Sequence, residues 1–407
     1  MNKIIILAAG ASSRFWPLSN QSHKTFYKCG LGKAIIEETV SSLLTLKPKE
    51  IDIVVSPKDL EKAKLIFKAY KNIKFFVQEK PIGEGDAILK VFKDVSYKGT
   101  FFLTTGDKIN ALEIFKLLSK EKQAVAIRQT DTPQFFGIAD LDNDGNIINI
   151  TEKPLVENNS SNNRITSGYL LDSSFIDILK SFSNDHYGLE KALNTYIKKT
   201  KVKGVFVDKL EDVKLKFSWD LLSINKQIQN KKNFKYIEKS AKIAKTAVIE
   251  GSVYIGKNVV IMDFVSIVGP VYIGDNSIIG THSLIRQNVF IDENVLVGAG
   301  SEVKNSIIYS GSSLHRNYIG DSILEKDVKI GAGTVIANRR NDRREIKTLV
   351  KEEKILTGLT SFGSVMGTGV RVGINSSIMP GVKIGSNAHI WPQSLVLKDV
   401  LDDGVFK

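Results

Sequence analysis

The sequence predicts two architectures in one chain: an α/β first half on a mostly parallel sheet, then a solenoid of short parallel strands. Two patterns predict them. Up to about residue 230, short apolar runs alternate with longer helix-like stretches, and from Ile237 an aliphatic residue returns at every sixth position. At 407 residues, 42% hydrophobic and 25% charged, the chain has room for two separate cores. The expected domains are 1–230 and 231–407.

In the first half, strands are expected at Lys3–Ala9, Ile51–Ser56, Lys74–Gln78, Thr100–Thr104 and Ala124–Gln129. Helices are expected between them, at Lys33–Leu46, Asp59–Tyr70, Asp86–Lys93 and Ala111–Lys120. This alternation implies helices on the faces of the sheet and ligands at the carboxyl ends of its strands. The first strand runs into Gly10-Ala11-Ser12-Ser13-Arg14, where small residues let backbone N–H groups approach a phosphate and Arg14 adds charge. Neither the Walker pattern nor G-x-G-x-x-G is present at this turn, which argues against an ATPase or a dehydrogenase. The apolar start, Ile4 to Ala9, is too short for a signal peptide and meets charge where a cleavage region would stand.

In the second half the aliphatic series is Ile237, Ile243, Ile249, Ile255, Ile261, Ile267, Ile273, Ile279, Ile285, Ile291, Val297 and Val303. A small or β-branched residue follows each by four positions, from Ala241 and Ala247 to Ser301 and Ile307. A helix repeats every 3.6 residues and a simple strand every two, so period six with Asn and Gly between means short strands joined by tight corners. The aliphatic points into a narrow three-sided prism, and Asn or Gly accepts the left-handed backbone of the corner. Each coil buries its apolar face only by stacking on its neighbours. The period is disturbed at Ser312–Asp321 and interrupted after Asn338, where a cation-rich segment extends to about Gly363; it resumes at Val372, Ile378, Ile384, Ile390 and Val396.

Composition narrows the setting. A single cysteine, Cys29, can form no intrachain disulfide, so a reducing cytoplasm is expected. No apolar run approaches the roughly 20 residues that span a bilayer, so no membrane partner is expected. The net charge of +13 and pI near 9.4 suit anionic partners such as nucleotides and phosphosugars. The lysines are scattered and no basic-aromatic motif recurs, so nucleic acid is not the expected partner.

The first half resembles the sugar-1-phosphate nucleotidyltransferases, a Rossmann-like family. Gly10-Ala11-Ser12-Ser13-Arg14-Phe15-Trp16-Pro17-Leu18 with His23-Lys24 is similar to the family's G-x-G-T-R-x-x-P-L…P-K signature. Gln78 to Ala87, Thr105-Gly106-Asp107, Gly137, Glu152-Lys153-Pro154, Ser167-Gly168-Tyr169 and Trp219-Asp220 follow in the family's order. By this resemblance Gly10, Arg14 and Lys24 meet the triphosphate, Gln78, Gly83 and Gly85 read the base, and Gly137, Glu152 and Lys153 hold the sugar phosphate. Asp107 is the implied Mg²⁺ ligand. Ser12-Ser13 replace Gly-Thr, His23 replaces proline, Glu84 replaces threonine, and Thr166 stands where asparagine is usual. The family places a second metal carboxylate shortly before its Trp-Asp; counting back from Trp219 lands on Lys214, and Asp212 fits only with a local insertion.

The second half resembles the hexapeptide-repeat, left-handed parallel β-helix family, whose members usually form trimers. His315-x-x-Tyr318-x-Gly320-Asp321, then Gly331-Ala332-Gly333-Thr334 and Ala337-Asn338, resembles the acetyltransferase half of bifunctional N-acetylglucosamine-1-phosphate uridylyltransferase/glucosamine-1-phosphate N-acetyltransferases, closest to the archaeal type. His315 is the implied base, Tyr318 and Asn338 position the sugar amine or oxyanion, and Arg344 and Lys347 meet phosphate. The resemblance implies acetyl transfer from acetyl-CoA to an amino-sugar 1-phosphate and Mg²⁺-dependent joining of a sugar 1-phosphate to UTP or dTTP. Two alternatives remain: a single-activity enzyme such as a glucose-1-phosphate thymidylyltransferase with a structural β-helix, and a non-catalytic assembly subunit.

Overall fold

A computed structural model describes residues 2–18, 22–93, 97–155, 161–231 and 233–407. They form two compact units: Met1–Ala11 with Thr25–Tyr27 and Ala34–Lys214, and Ser12–Lys24 with Lys28–Lys33 and Leu215–Lys407.

The sheet of the first unit contains β1 (Lys3–Ala8), β2 (Glu50–Val55), β3 (Ile73–Val77), β4 (Thr100–Thr105), β5 (Ala124–Gln129), β6 (Gly137–Leu141), β7 (Ile147–Glu152), β8 (Asn163–Asp172) and β9 (Lys203–Phe206). Its order is β9-β5-β8-β4-β1-β2-β3, with β6 paired to β8 and β7. Strand β1 runs parallel to both β2 and β4, and it reads as an unbroken apolar run because both its faces are covered. Ile5 and Leu7 pack on one side with Phe101 and Leu103, while Ile4 and Ile6 pack on the other with Ile51, Ile53 and Phe102. Each fully buried aliphatic of this kind contributes roughly 2 kcal/mol.

The helices α1 (Ile35–Leu44), α2 (Leu60–Phe67) and α4 (Ala111–Leu118) fall within the predicted intervals, and α3 (Glu84–Val91) starts and ends two residues before its predicted one. Helix α1 starts where the Ala34 N–H meets the Glu37 carboxylate at 2.8 Å, satisfying a donor the helix itself cannot. Two further helices, Ser174–Lys180 and Gly188–Ile197, cover the sheet beyond the predicted elements. Strand β8 is antiparallel to β4 and β5, and its register shifts between Ile165 and Tyr169. That irregularity falls on Thr166-Ser167-Gly168, where the Ser167 carbonyl takes the Thr104 hydroxyl at 2.8 Å.

The second unit is a left-handed parallel β-helix whose described strands form three sheets of eight, nine and eight. Partners on the first face stand 18 residues apart at Val253 and Val271, 17 apart at Phe290 and Ile307, and 16 apart at Ile307 and Ile323. The disturbance in the sequence is therefore no break in the coil. Single residues are missing from the corners after Val303, Leu314 and Ile319, so the inner positions become Ile308, Leu314, Ile319 and Leu324, all fully buried. Because one coil lies above the next in register, side chains stack with their own kind: Tyr236, Tyr254, Tyr272 and Phe290 lie 5.0, 4.7 and 4.9 Å apart along the face. The corner residues Asn258, Asn276 and Asn294 adopt φ of 54°, 59° and 58°, as expected of Asn in the left-handed region.

The interruption after Asn338 is a closed excursion. Phe362 N–H returns to the Asn338 carbonyl at 2.9 Å, and a hairpin, Lys347–Val350 with Glu353–Leu356, fills the segment between. Thr348 fastens it to the coil through the Gly381 carbonyl at 2.7 Å. A further helix, Asp220–Asn230, belongs to the same unit, its Asn225 side chain donating to the Asn288 carbonyl at 2.7 Å. No helix among the described residues is long and apolar enough to cross a membrane.

Candidate active sites

In the first unit, the predicted site residues stand at the carboxyl ends of the parallel strands. Gly10 lies just past β1, Gln78 just past β3, and Asp107 two residues past β4. Gln78 is buried and its amide donates to the Gly83 carbonyl and to Asp86 Oδ2, both at 2.9 Å, which ties the end of β3 to the loop that opens α3. Gly83 and Gly85 sit in that opening turn. The neighbouring Ile82 carbonyl meets His186 Nδ1 at 2.7 Å.

Gly137 and Glu152 are cross-strand partners of β6 and β7. A Cβ at Gly137 would come within 2.9 Å of Glu152 Oε2. Glu152 Oε1 pairs with Lys153 Nζ at 3.1 Å, and the ammonium lies 5.1 Å from the centre of the Tyr187 ring. Burial lowers the Lys153 pKa, but Glu152 and Tyr187 outweigh it and hold the ammonium above its ordinary range. Burial raises the carboxyl of Glu190, on the adjacent helix, with Glu152 adding to the effect.

Asp107 is buried in the turn after β4, and Asn110 and Lys108 of that turn donate to the Glu211 and Val213 carbonyls at 3.0 and 2.7 Å. The turn of Asp107 and the segment of Asp212 are thus stitched together. Asp212 itself is surrounded by cations: Arg164 on Oδ1, Arg128 Nε at 3.7 Å, and Lys214 on Oδ2 at 2.9 Å. Burial works to raise its pKa, but Arg164 and Lys214 win and hold the carboxyl below the usual carboxylate range.

The remaining signature residues belong to the second unit. Ser12 adopts φ of 52°, the left-handed backbone that the family's glycine would take without cost. It remains there because its carbonyl accepts the Phe15 N–H at 2.9 Å and its hydroxyl accepts the Lys24 N–H at 3.2 Å. Lys24 Nζ donates to the Leu215 carbonyl at 2.6 Å, while Arg14 is exposed. Trp219 is buried against Phe217 with ring centres 4.5 Å apart, and Asp220, the first residue of its helix, fixes the approaching chain by accepting the Lys216 and Phe217 N–H groups at 2.7 and 2.8 Å.

The β-helix carries His315 on the shortened corner after Leu314, Tyr318 on the strand that follows, and Asn338 where the excursion begins. His315 is exposed, and its backbone N–H meets Asn317 Oδ1 at 2.6 Å. Tyr318 and Asn338 converge over Gly320, where a Cβ would lie 2.8 Å from both the Tyr318 hydroxyl and Asn338 Nδ2. Asn338 donates to Asp321 Oδ2, and Asn305 donates to Asp321 Oδ1 at 2.6 Å. Burial raises the Tyr318 phenol, with Glu302 and Asp321 reinforcing it, so this hydroxyl is neutral near pH 7 and able to donate. A groove of about 400 Å³ beside the His315 corner is lined by Arg316, Ala332, Gly333, Ile374 and Asn375. Arg344 and Lys347 are both exposed on the excursion, and Arg344 N–H meets Asp342 Oδ1 at 3.1 Å.

Sequence reasoning passed over Arg128, Arg164, Tyr187, Glu190, Asn317 and Asp321. The first four lie outside the family blocks, and only the fold brings them to the named residues. Asn317 and Asp321 stood inside the quoted motif, yet nothing in the sequence marked them as its supports.

Comparison with known proteins agrees with both halves. The nucleotidyl transferase family matches residues 3–220, the GMPPB C-terminal domain matches 267–373, and the six-repeat bacterial transferase hexapeptide family matches 363–398. The bifunctional protein GlmU of Methanococcus aeolicus is 34% identical over 408 residues, covering 98% of this chain and 95% of the relative. The bifunctional sugar-1-phosphate nucleotidylyltransferase/acetyltransferase of Sulfurisphaera tokodaii is 34% identical over 413 residues, covering 98% of each. The bifunctional protein GlmU of Methanococcus maripaludis is 38% identical over 403 residues, covering 97% of this chain and 95% of the relative. The chain therefore belongs to the nucleotidyl transferase family and, over nearly all its length, to its bifunctional nucleotidylyltransferase/acetyltransferase members with a hexapeptide-repeat second half.

Proposed function

We propose that this enzyme makes a nucleotide sugar by two transfers, acetylating an amino-sugar 1-phosphate and then joining the product to a nucleoside triphosphate, UTP or dTTP. The observation that carries the acetyl transfer is the convergence of Tyr318 and Asn338 over Gly320, with His315 exposed on the corner that leads into the same strand. His315 takes a proton from the sugar amine as nitrogen attacks the acetyl thioester of acetyl-CoA. The tetrahedral oxyanion is met by the Tyr318 hydroxyl or the Asn338 amide; as it collapses the carbon–sulfur bond breaks and His315 gives its proton to the sulfur, so coenzyme A leaves as the thiol. Arg344 and Lys347 meet the phosphate of the sugar.

In the second transfer a phosphate oxygen of the sugar 1-phosphate attacks the α-phosphorus, the bond to the β-phosphate oxygen breaks, and pyrophosphate leaves. No covalent nucleophile is needed, so alignment and charge neutralisation carry the rate. Arg14 and Lys24 neutralise the triphosphate, with Gly10 admitting it to the backbone. Gln78, Gly83 and Gly85 read the base, and Gly137, Glu152 and Lys153 hold the sugar phosphate. The turn of Asp107 is rich in oxygen: Thr105 Oγ1 and Asn110 Oδ1 are buried without a hydrogen-bond partner among the described residues. That donor chemistry fits Mg²⁺, with Asp107 and Asp212 as its carboxylates. Bound there, Mg²⁺ would offset the charge of the phosphate oxygens.

A homotrimer through the β-helix fits the exposed apolar residues Val335, Leu395 and Leu397 on its third face. The buried Cys29, the single cysteine of the chain, suits a reducing compartment, the cytoplasm. The test is mass-spectrometric: protein with glucosamine-1-phosphate or galactosamine-1-phosphate, acetyl-CoA, Mg²⁺ and UTP or dTTP, beside His315→Ala. Acetylated sugar phosphate that disappears in the variant, together with nucleotide sugar, is the expected result. Nucleotide sugar made only from pre-formed sugar phosphates, with no acetylation, would refute the acetyltransferase and leave a single-activity nucleotidyltransferase.

A further inference from the structure

The loop from Val207 to Lys214 is held from several sides. Arg128 donates to the Val207 and Leu210 carbonyls at 2.7 and 2.6 Å, while Asn110 and Lys108 secure Glu211 and Val213. At its centre, both oxygens of Asp212 are taken by cations, Oδ1 by Arg164 and Oδ2 by Lys214. The two cations differ in freedom. The Arg164 side chain is only 4% exposed, and its guanidinium lies 4.7 Å from the centre of the Phe136 ring. Its flat face is covered and it has nowhere to go. Lys214 is 52% exposed on a flexible stem, so its ammonium can return to water at little cost.

We propose that Lys214 holds the place of a divalent cation on Asp212: its ammonium and the metal are alternative occupants of Oδ2, while Arg164 stays and keeps the carboxylate aimed. This rests on the reading of Asp107 and Asp212 as the metal carboxylates. With Lys214 in place, an arriving cation meets a carboxylate whose charge is already balanced, and meets Arg164 and Arg128 as well. Asp107 then holds the metal without Asp212 until Lys214 swings away. Lys214 thereby sets the free-cation concentration at which the second carboxylate is recruited.

The test is Mn²⁺ binding to the full-length protein without nucleotide or sugar, by calorimetry and by the paramagnetic resonance signal of free Mn²⁺. Lys214→Gln removes the competitor and is expected to tighten binding about two- to fivefold, the scale of one partly exposed ion pair. Lys214→Arg keeps a cation and is expected to bind no more tightly than wild type. Wild-type affinity in Lys214→Gln overturns the proposal. Adding Asp212→Asn to Lys214→Gln is expected to abolish the gain; a gain that survives shows that the competition is not over Asp212 and also overturns it. Mn²⁺ binding unchanged by Asp107→Asn would instead sink the reading of the metal site itself.

Discussion

Gly137 faces Glu152 across the β6–β7 pair so closely that a methyl group at Gly137 would come within 2.9 Å of Glu152 Oε2. Gly137→Ala must therefore push the carboxylate aside and loosen its 3.1 Å pairing with Lys153. The KM for sugar 1-phosphate is expected to rise about tenfold, equivalent to about 1.4 kcal/mol. Acetyl transfer by the same preparation should be unchanged and serves as its control. Pyrophosphate release at varied sugar phosphate measures the effect, and a wild-type KM would remove Glu152 and Lys153 from substrate binding.

Gly320 plays the corresponding part in the β-helix. Its missing side chain leaves room for the Tyr318 hydroxyl and Asn338 Nδ2, each 2.8 Å from where a Cβ would stand. Gly320→Ala forces these groups apart. Loss of one positioned donor in a transition state costs about a hundredfold in kcat. Coenzyme A release from acetyl-CoA should fall on that scale while nucleotidyl transfer continues, and equal loss of both activities would point to misfolding instead.

The inner aliphatics from Ile243 to Val303 were legible because each coil repeats the same inward position, so period alone identifies them. The first coil is covered on one side only, so Ile243 and Ile249 are partly buried and Ile237 remains 40% exposed. The corners after Val303, Leu314 and Ile319 were illegible as corners. Losing one residue destroys the sequence period but leaves the strands in register. In the first unit, β1 to β5 announced themselves as apolar runs, whereas β6 and β7 mix polar with apolar residues without a regular period, and β8, antiparallel between β4 and β5, opens on Asn163 and Arg164. The cluster on Asp212 joins residues from 128 to 214. No local pattern relates a cation on one strand to a loop that closes over it much later in the chain.

The far end of the same sheet gives a stability prediction. Asp52 is fully buried, bonded to Lys3 Nζ at 2.6 Å on one oxygen and unpartnered among the described residues on the other. Lys74, Glu50 and the Tyr97 ring are its other charged or titratable neighbours. Burial raises its pKa from the usual 3.8 to about 6, more than Lys3 lowers it. The folded state thus binds this proton more tightly than the unfolded chain does. Its contribution is full below about pH 4 and is lost as pH rises through about 6. Asp52→Asn mimics the protonated form at every pH. Denaturant unfolding should find the variant close to wild type at pH 4 and more stable by about 2–3 kcal/mol at pH 7. A difference that does not change with pH would mean Asp52 ionises as readily folded as unfolded.

Asn317 is the support on which the acetyl-transfer corner rests. Its Oδ1 accepts the His315 N–H at 2.6 Å, and its Nδ2 donates to the Gly331 and Thr334 carbonyls at 2.9 and 3.0 Å. The side chain is 4% exposed, so no water can replace it easily. It occupies the buried corner position that elsewhere takes a small residue, and it makes up for the residue missing from this corner by bridging to the next coil. Asn317→Ala leaves a donor and two acceptors without this partner, which costs about 1–3 kcal/mol for each one left buried and unsatisfied. The expected result is a β-helix that unfolds at lower denaturant and an enzyme whose acetyl transfer falls at least tenfold, because the His315 backbone is no longer fixed. Nucleotidyl transfer should persist under conditions where the variant remains folded. Asn317→Asp keeps the acceptor for His315 but loses the two donations, so it should recover acetyl transfer more than stability. If both variants acetylate at the wild-type rate, the corner does not position the base.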